Sequence, residues 1–362
     1  MSVPADGHRY YTGQYWNDFE TVRRHLDHRT TGDGAVSWYA SLATRGLHFS
    51  RVLMLNCGNG WVERELQRAG VIDEVVGIDI SGDLLAQARA AAGDIGLPAQ
   101  YVEMDVNSMP LPDGPFDLVV NHAVGHHIAH IDHVFRQVAD RLSPDGLFIS
   151  WDYVGPHRNQ YPAAIWEAAW EVNRELPAHL RQTMQYPHLD TMLADDPTEA
   201  VHSELVLPTI ERHFDVTDLR RLGGAIGYVL LTHNSAIHAG HPDEVEPVLE
   251  QIMTVDAAFC DAHPEHTLFA YVEARPRNEP HDEATLERWR LEEDEREAAA
   301  ARNGGEYGPR TWLAELTYGS EMPQVSLGAA IGERFPAFTR AYNRCVEWFQ
   351  RAVRSRRTSP PR

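Results

Sequence analysis

The chain has 362 residues, enough to bury a large core and to form one to three domains. Its 32 basic and 53 acidic side chains give a formal net charge of −21, and so acidic a surface excludes nucleic acid and anionic membrane as expected partners. Cys57, Cys260 and Cys345 are too few and too scattered for a disulfide framework. With no basic-then-apolar opening and no apolar run of membrane-spanning length, they point to free thiols in the cytoplasm.

In chain order, Trp16, Phe19, Val22 and Leu26 recur at helical spacing, so residues 1–49 are expected to form an N-terminal helical lid. Trp16 and Phe19 read as packing residues, whereas Tyr11 and Tyr15 offer a phenol that could serve inside a lid. Val52–Leu55 is an apolar run that enters the small-residue loop Asn56–Gly60, and a helix is expected near 61–69. About twenty residues after the loop, a second apolar run ends in Asp79. Further strands are expected near 99–103, 116–121 and 146–152, with helices near 82–92 and 131–142. The segments beginning at Phe214 and Thr267 would supply the last two strands. Alternation of this kind implies an α/β, doubly wound parallel sheet flanked by helices.

Residues 155–202 are too long for a simple connection and read as a helical cap insertion. A second insertion near 222–263 includes an amphipathic helix over 243–259. After Tyr271 the composition turns Pro-rich and then acidic, and the segment from Leu286 reads as a solvated helix. An aromatic face over 335–353 must bury itself against this core or a second copy, which makes a homodimer the expected assembly. The divisions are 1–49 for the lid, 50–275 for the main domain, and 276–362 for an acidic linker and C-terminal helical extension.

A strand, a tight loop and a later acid are the geometry for a nucleoside ligand. A dinucleotide needs three glycines to let its pyrophosphate approach, and here the third small position falls in Trp61-Val62-Glu63, where Glu63 would oppose it. A cofactor without phosphates fits better. The segment Asn56-Cys57-Gly58-Asn59-Gly60 resembles the first motif of class I S-adenosylmethionine (SAM)-dependent methyltransferases. Asp79, Tyr101–Asn107, Phe116–His127 and Leu142–Asp152 are similar to that family's later motifs, in the same order. Two positions depart from the pattern: Met54 stands where the family has an acid, and Asn56 where it has a glycine.

The resemblance implies a Rossmann-like sheet of seven strands, the last of them antiparallel, and SAM as cofactor. Asp79 and Ile80 would lie at its ribose, Asp105 and Val106 at adenine, Asn56, Cys57, Gly58 and Gly60 at the methionine portion, and Asn121 beside it. Cys57 is expected to pack rather than to act as a nucleophile. The loop after the fourth strand would border the sulfur, and it carries His122, His126 and His127. His126 and His127 are the candidate bases, either of which could instead cap or pack. Asp152 could orient a histidine, and Tyr153 could orient or deprotonate the acceptor.

The segment Asp152–Gln160 resembles methyltransferases of bacterial glycan and secondary-metabolite gene clusters. Arg158 there could anchor an anionic acceptor or form a salt bridge to the cap, and His157 and Tyr15 are further candidates for acceptor binding. Glu199, in the stretch Asp196–Glu204, reads as structural. His122, His126, His130 and His133 show helix-like spacing, but strand, loop and helix should scatter them, so no metal is expected.

The expected activity is methyl transfer to an oxygen or nitrogen of a small polar metabolite. Aminocarboxypropyl transfer, SAM cyclisation, or a non-catalytic SAM-binding role are the alternatives.

Overall fold

The computed structural model describes residues 13–184, 186–187, 198–277 and 281–302. Its centre is a seven-stranded sheet: β1 (Phe49–Leu55), β2 (Ile72–Asp79), β3 (Ala99–Glu103), β4 (Phe116–His122), β5 (Leu142–Tyr153), β6 (Phe214–Gly223) and β7 (Phe269–Pro276). The order across the sheet is β3-β2-β1-β4-β5-β7-β6, with β7 antiparallel to both its neighbours. The expected sheet, its count and its antiparallel last strand are all present.

Parallel strands covered on both faces must be apolar throughout. Val52, Leu53, Met54 and Leu55 of β1 are accordingly all buried. The register pairs Met54 with both Gly77 and Val120, which brings the C-terminal ends of β1, β2 and β4 to one edge. The chain order reverses between β1 and β4, and such a switch opens a crevice at the strand ends.

Helices α1 (Glu20–Thr31), α2 (Trp38–Thr44), α3 (Trp61–Arg68), α4 (Gly82–Asp94), α5 (Ile131–Arg141) and α6 (Ala163–Glu175) follow in chain order. On α5, Ile131, Val134, Phe135 and Val138 are buried at the spacing of one helical face. They pack with Val206 and Ile210 of the helix Val206–His213 to form one layer. The other layer holds α1 and the long helix Pro242–Ala262, which covers the expected amphipathic segment. In the 155–202 insertion, α6 buries Ile165, Trp166 and Ala169; residues 188–197 lie outside the described residues.

The N-terminal segment is docked rather than loose. Trp16 is 2% exposed, and its ring lies 5.0 Å from Phe269 and 6.0 Å from Tyr228. Phe19 is half-buried against the same core. The helix Glu283–Arg302 is largely exposed, as expected, but Trp289 engages Arg212 (5.2 Å) and His213 (5.6 Å). Tyr11 and the aromatic face over 335–353 lie outside the described residues. No described helix is long and apolar enough to cross a membrane.

Replacing Trp16 with Ala removes a large buried ring that joins the N-terminal segment to β7. The variant should lose about 3–5 kcal/mol in urea denaturation. A loss below about 1 kcal/mol, the scale of an ordinary surface change, would show that this segment does not unfold with the core.

Candidate active site

The loop leaving β1 turns by alternating left-handed residues: Asn56 at φ 41°, Gly58 at 56° and Gly60 at 74°. Asn is among the few side-chain-bearing residues that adopt this region readily, so the loop forms without the family's first glycine. Gly60 must stay bare, because a Cβ there would lie 2.7 Å from Glu63 Oε1 and 3.0 Å from the Ala88 methyl.

Asp79 ends β2 and holds this loop. Its Oδ2 accepts from Gly58 N at 2.8 Å and its Oδ1 from Ser81 N at 2.8 Å. Burial pushes its carboxyl above the usual range, and these amide donors pull it back. Beside it Ile80 is 47% exposed, an apolar side chain left open at the crevice. Met104 N donates to Asp79 O at 2.9 Å, which joins the β3 exit to the same edge. There Asp105 Oδ1 accepts from Asn107 N at 2.9 Å, and Val106 is buried. Cys57 is buried and burial pushes its thiol far up, so it is a packing residue here, as expected.

Behind the loop, Glu63 is fully buried on the first turn of α3 and accepts from Tyr101 Oη at 3.1 Å. Desolvation raises its pKa to about 7. No sequence spacing links Glu63 to Tyr101; only an acid at an inward helical position marks the pair.

The second half of the site centres on Asp152, completely buried at the end of β5. Its carboxylate accepts from His126 Nδ1 (2.5 Å), Asn121 Nδ2 (2.7 Å), Gly125 N (2.7 Å) and Tyr153 N (2.8 Å). Because a carboxylate only accepts, His126 carries its proton on Nδ1 and Nε2 is the basic nitrogen. Asn121 is fully enclosed and also donates to Ser150 Oγ at 2.9 Å, so its amide touches Asp152 rather than the crevice.

The three histidines of this loop part company. His126 and His127 have ring centroids 4.1 Å apart. His122 instead stacks on Trp151 at 5.1 Å, edge-on to Trp61 at 5.1 Å and near Trp38 at 5.9 Å. Burial among these rings lowers its pKa to about 4, which keeps it neutral. Tyr153 is buried with its ring 5.9 Å from His126, and desolvation pushes its phenol well up, which opposes loss of its proton. It neighbours Tyr228 at 5.8 Å, and Tyr228 in turn neighbours Trp16. Tyr15 is half-buried with its ring 5.9 Å from His233.

His157 and Arg158, named as candidates for acceptor binding, are 4% and 1% exposed. They pin the segment 198–202. His157 Nδ1 bonds to Val201 O, Arg158 N donates to Ala200 O at 2.8 Å, and Arg158 Nη1 donates to Glu199 O at 3.0 Å. Val201 N donates to His126 O at 2.9 Å. The segment so fixed delivers Glu199, whose Oε2 lies 3.7 Å from His127 Nε2. Sequence reasoning missed this approach because nothing in local spacing links Glu199 to the histidine loop.

A glycine-bearing loop, a strand-end acid and a polar crevice at a topological switch define a nucleoside-binding α/β protein. Residues 53–150 match a family described as "Methyltransferase domain". The chain is 29% identical over 132 residues to a fatty-acid O-methyltransferase of Mycolicibacterium smegmatis, covering 36% of this chain and 46% of that one. It is 31% identical to a malonyl-[acyl-carrier protein] O-methyltransferase of Legionella pneumophila, covering 33% and 41%. The chain thus spans about half the length of the curated relatives it matches. Among solved structures, the [4+2]-cyclase SpnF aligns with a TM-score of 0.41 at 17% identity, covering 72% of this chain and 94% of that one. This chain carries a class I SAM-dependent methyltransferase domain, and the cofactor of that domain is S-adenosylmethionine.

Glu63 supplies a pH test of the loop. An acid whose folded pKa lies above its unfolded value binds more protons when folded, so its contribution falls as pH rises from about 4.5 to about 7 and is level above that. Glu63→Gln should abolish this loss. Relative to wild type, the variant should gain about 3 kcal/mol in urea denaturation between pH 4 and pH 8. An unchanged difference across that range would show that folding leaves the Glu63 pKa where it is in the unfolded chain.

Proposed function

We propose that the protein transfers a methyl group from SAM to an oxygen or nitrogen of a small polar metabolite. The observation that carries this reading is the pairing at one sheet edge of the Asp79-held loop with the Asp152–His126 dyad. The fit to the cofactor rests on the chain's own groups. Asp79 is a carboxylate suited to ribose hydroxyls, the open Ile80 would cover the nucleoside, and the Asn56–Gly60 turn would seat the methionine portion. Asp105 and Val106, at the exit of β3, would read adenine.

SAM supplies a methyl group on a sulfonium. The Asn56–Gly60 turn, Asp79 and Ile80 would hold it so that the methyl is offered to the acceptor heteroatom's electron pair, with the sulfur as leaving group. The acceptor's proton is removed at the His126–His127 pair, where Asp152 fixes the tautomer and orientation of His126. Asn121 and the bare Gly125 act through Asp152 as positioning residues; a Cβ on Gly125 would lie 2.5 Å from its Oδ2. Tyr153, Trp16 and Tyr228 link the N-terminal segment to this dyad, which supports a lid over residues 50–275 that excludes water.

Buried, unpaired Cys57 and Cys260 support a cytoplasmic location. The two O-methyltransferase relatives favour an oxygen acceptor. A role in natural-product or glycan biosynthesis follows from the Asp152–Gln160 resemblance alone, and a homodimer from the aromatic face beyond the described residues.

The test supplies SAM with a panel of hydroxy and amino metabolites and follows the nucleoside product by mass spectrometry. S-adenosylhomocysteine is expected. Methylthioadenosine would replace this reading with aminocarboxypropyl transfer or cyclisation, for which Met54 and Asn56 at the methionine end are the motive. Asp152→Asn and His126→Asn should each lower the turnover rate about 10²–10⁴-fold while SAM affinity holds. Full turnover in both would remove the dyad from the mechanism.

A further inference from the structure

The nitrogen and oxygen ligand atoms of His126, His127 and Glu199 all lie within 4.8 Å of one another. What makes this more than a meeting of polar groups is how each side chain is held from behind. His126 Nδ1 is fixed by Asp152 Oδ1 at 2.5 Å, and His127 Nδ1 by the carbonyl of Thr198 at 3.1 Å. The Asp152 carboxylate and the Thr198 carbonyl accept, and with the proton on each Nδ1 the Nε2 atoms are the basic nitrogens; Thr198 Oγ1 also lies 3.4 Å from His127 Nδ1. Glu199 repeats the arrangement: Oε1 accepts from Asn159 Nδ2 at 3.4 Å while Oε2 lies 3.7 Å from His127 Nε2. Orienting partners of this kind, a carboxylate or carbonyl behind each histidine, are the usual outer shell of a metal centre.

The backbone serves the same end. Glu199 reaches the cluster because Val201 N bonds to His126 O, and because Arg158 bonds to the carbonyls of Glu199 and Ala200. The set is two histidines and one carboxylate, with His126 buried and His127 and Glu199 half-buried.

We propose that His126, His127 and Glu199 bind one divalent transition-metal ion, of which zinc is the representative. Two imidazoles with one carboxylate suit zinc, iron(II), cobalt or manganese, whereas magnesium and calcium take sets made of oxygen. Ligand atoms around such an ion stand about 3–3.5 Å apart, as follows from metal–ligand lengths near 2.0–2.2 Å. The cluster therefore needs to contract by about 1 Å, a movement within the reach of the Glu199 side chain. Three protein ligands leave a coordination position for an acceptor oxygen. This deepens the methyl-transfer reading and rests on it. The ion would hold the acceptor hydroxyl and make it more acidic, its proton passing to water, and the Nε2 atoms would act as ligands instead of taking that proton themselves. An acceptor with a hydroxyl beside a second oxygen donor would suit such a centre.

The test uses the full chain, stripped with a chelator and then titrated with zinc alone and with cobalt(II) alone, alongside Glu199→Gln. One equivalent of zinc is expected, bound at least tenfold more weakly by the variant, with a cobalt absorption spectrum that the variant loses. SAM affinity is measured in the same stripped samples and should be equal in both proteins. Absence of a stoichiometric site, or equal zinc affinity in Glu199→Gln, overturns the proposal. Methyl transfer that continues undiminished after chelation also overturns it and leaves the transferase reading standing. Failure of the stripped and zinc-loaded proteins alike to bind SAM would instead count against the transferase reading, whatever the metal result.

Discussion

One buried carboxylate organises the cofactor end of the molecule. Asp79 sits at the tip of β2, and its two oxygens take amide protons from different loops, Gly58 after β1 and Ser81 ahead of α4. Its carbonyl takes a third amide, from Met104 after β3. Three strand ends are thereby drawn to a single point. A buried charge without those donors would be costly, so the loop conformation and the ionised acid depend on each other.

Asp152 does the same on the other side of the switch between β1 and β4. It gathers the ends of β4 and β5 and the loop that follows β4, through Asn121, Tyr153, Gly125 and His126. The segment 198–202 is then fastened over the histidines by backbone bonds to His126 and Arg158. The loop after β1 and the histidine cluster thus lie on one sheet edge, each framed by a carboxylate that faces inward. That division of labour suits an in-line transfer, where positioning rather than covalent catalysis supplies most of the rate.

The fold was legible because its signals are local and periodic. Apolar runs with both faces buried, such as Val52–Leu55, cannot be much else than central parallel strands. The Asn56–Gly60 loop and Asp79 were legible because a strand, a turn and a helix leave little freedom in where the next strand-end acid lies. Packing roles for Trp16 and Cys57 followed from the same logic. Contacts that depend on tertiary latching were not legible. His122 and His126 are neighbours in sequence, yet the pleat of β4 turns His122 onto Trp151 while the following turn carries His126 to Asp152. Arg158 has the chemistry of an anion anchor, but its backbone at φ 54° turns it inward to the carbonyl of Glu199. Glu199 itself met the histidines only through bonds that no spacing encodes.

Calorimetric titration with SAM and S-adenosylhomocysteine reads out whether the Asp79-held loop is a SAM site. The full chain should bind both nucleosides with micromolar affinity. Asp79→Ala, which removes a charge-assisted pair of hydrogen bonds, should bind them about tenfold to a hundredfold more weakly. Binding of neither nucleoside by the wild-type chain, or equal affinity in the variant, would contradict a SAM site at this loop.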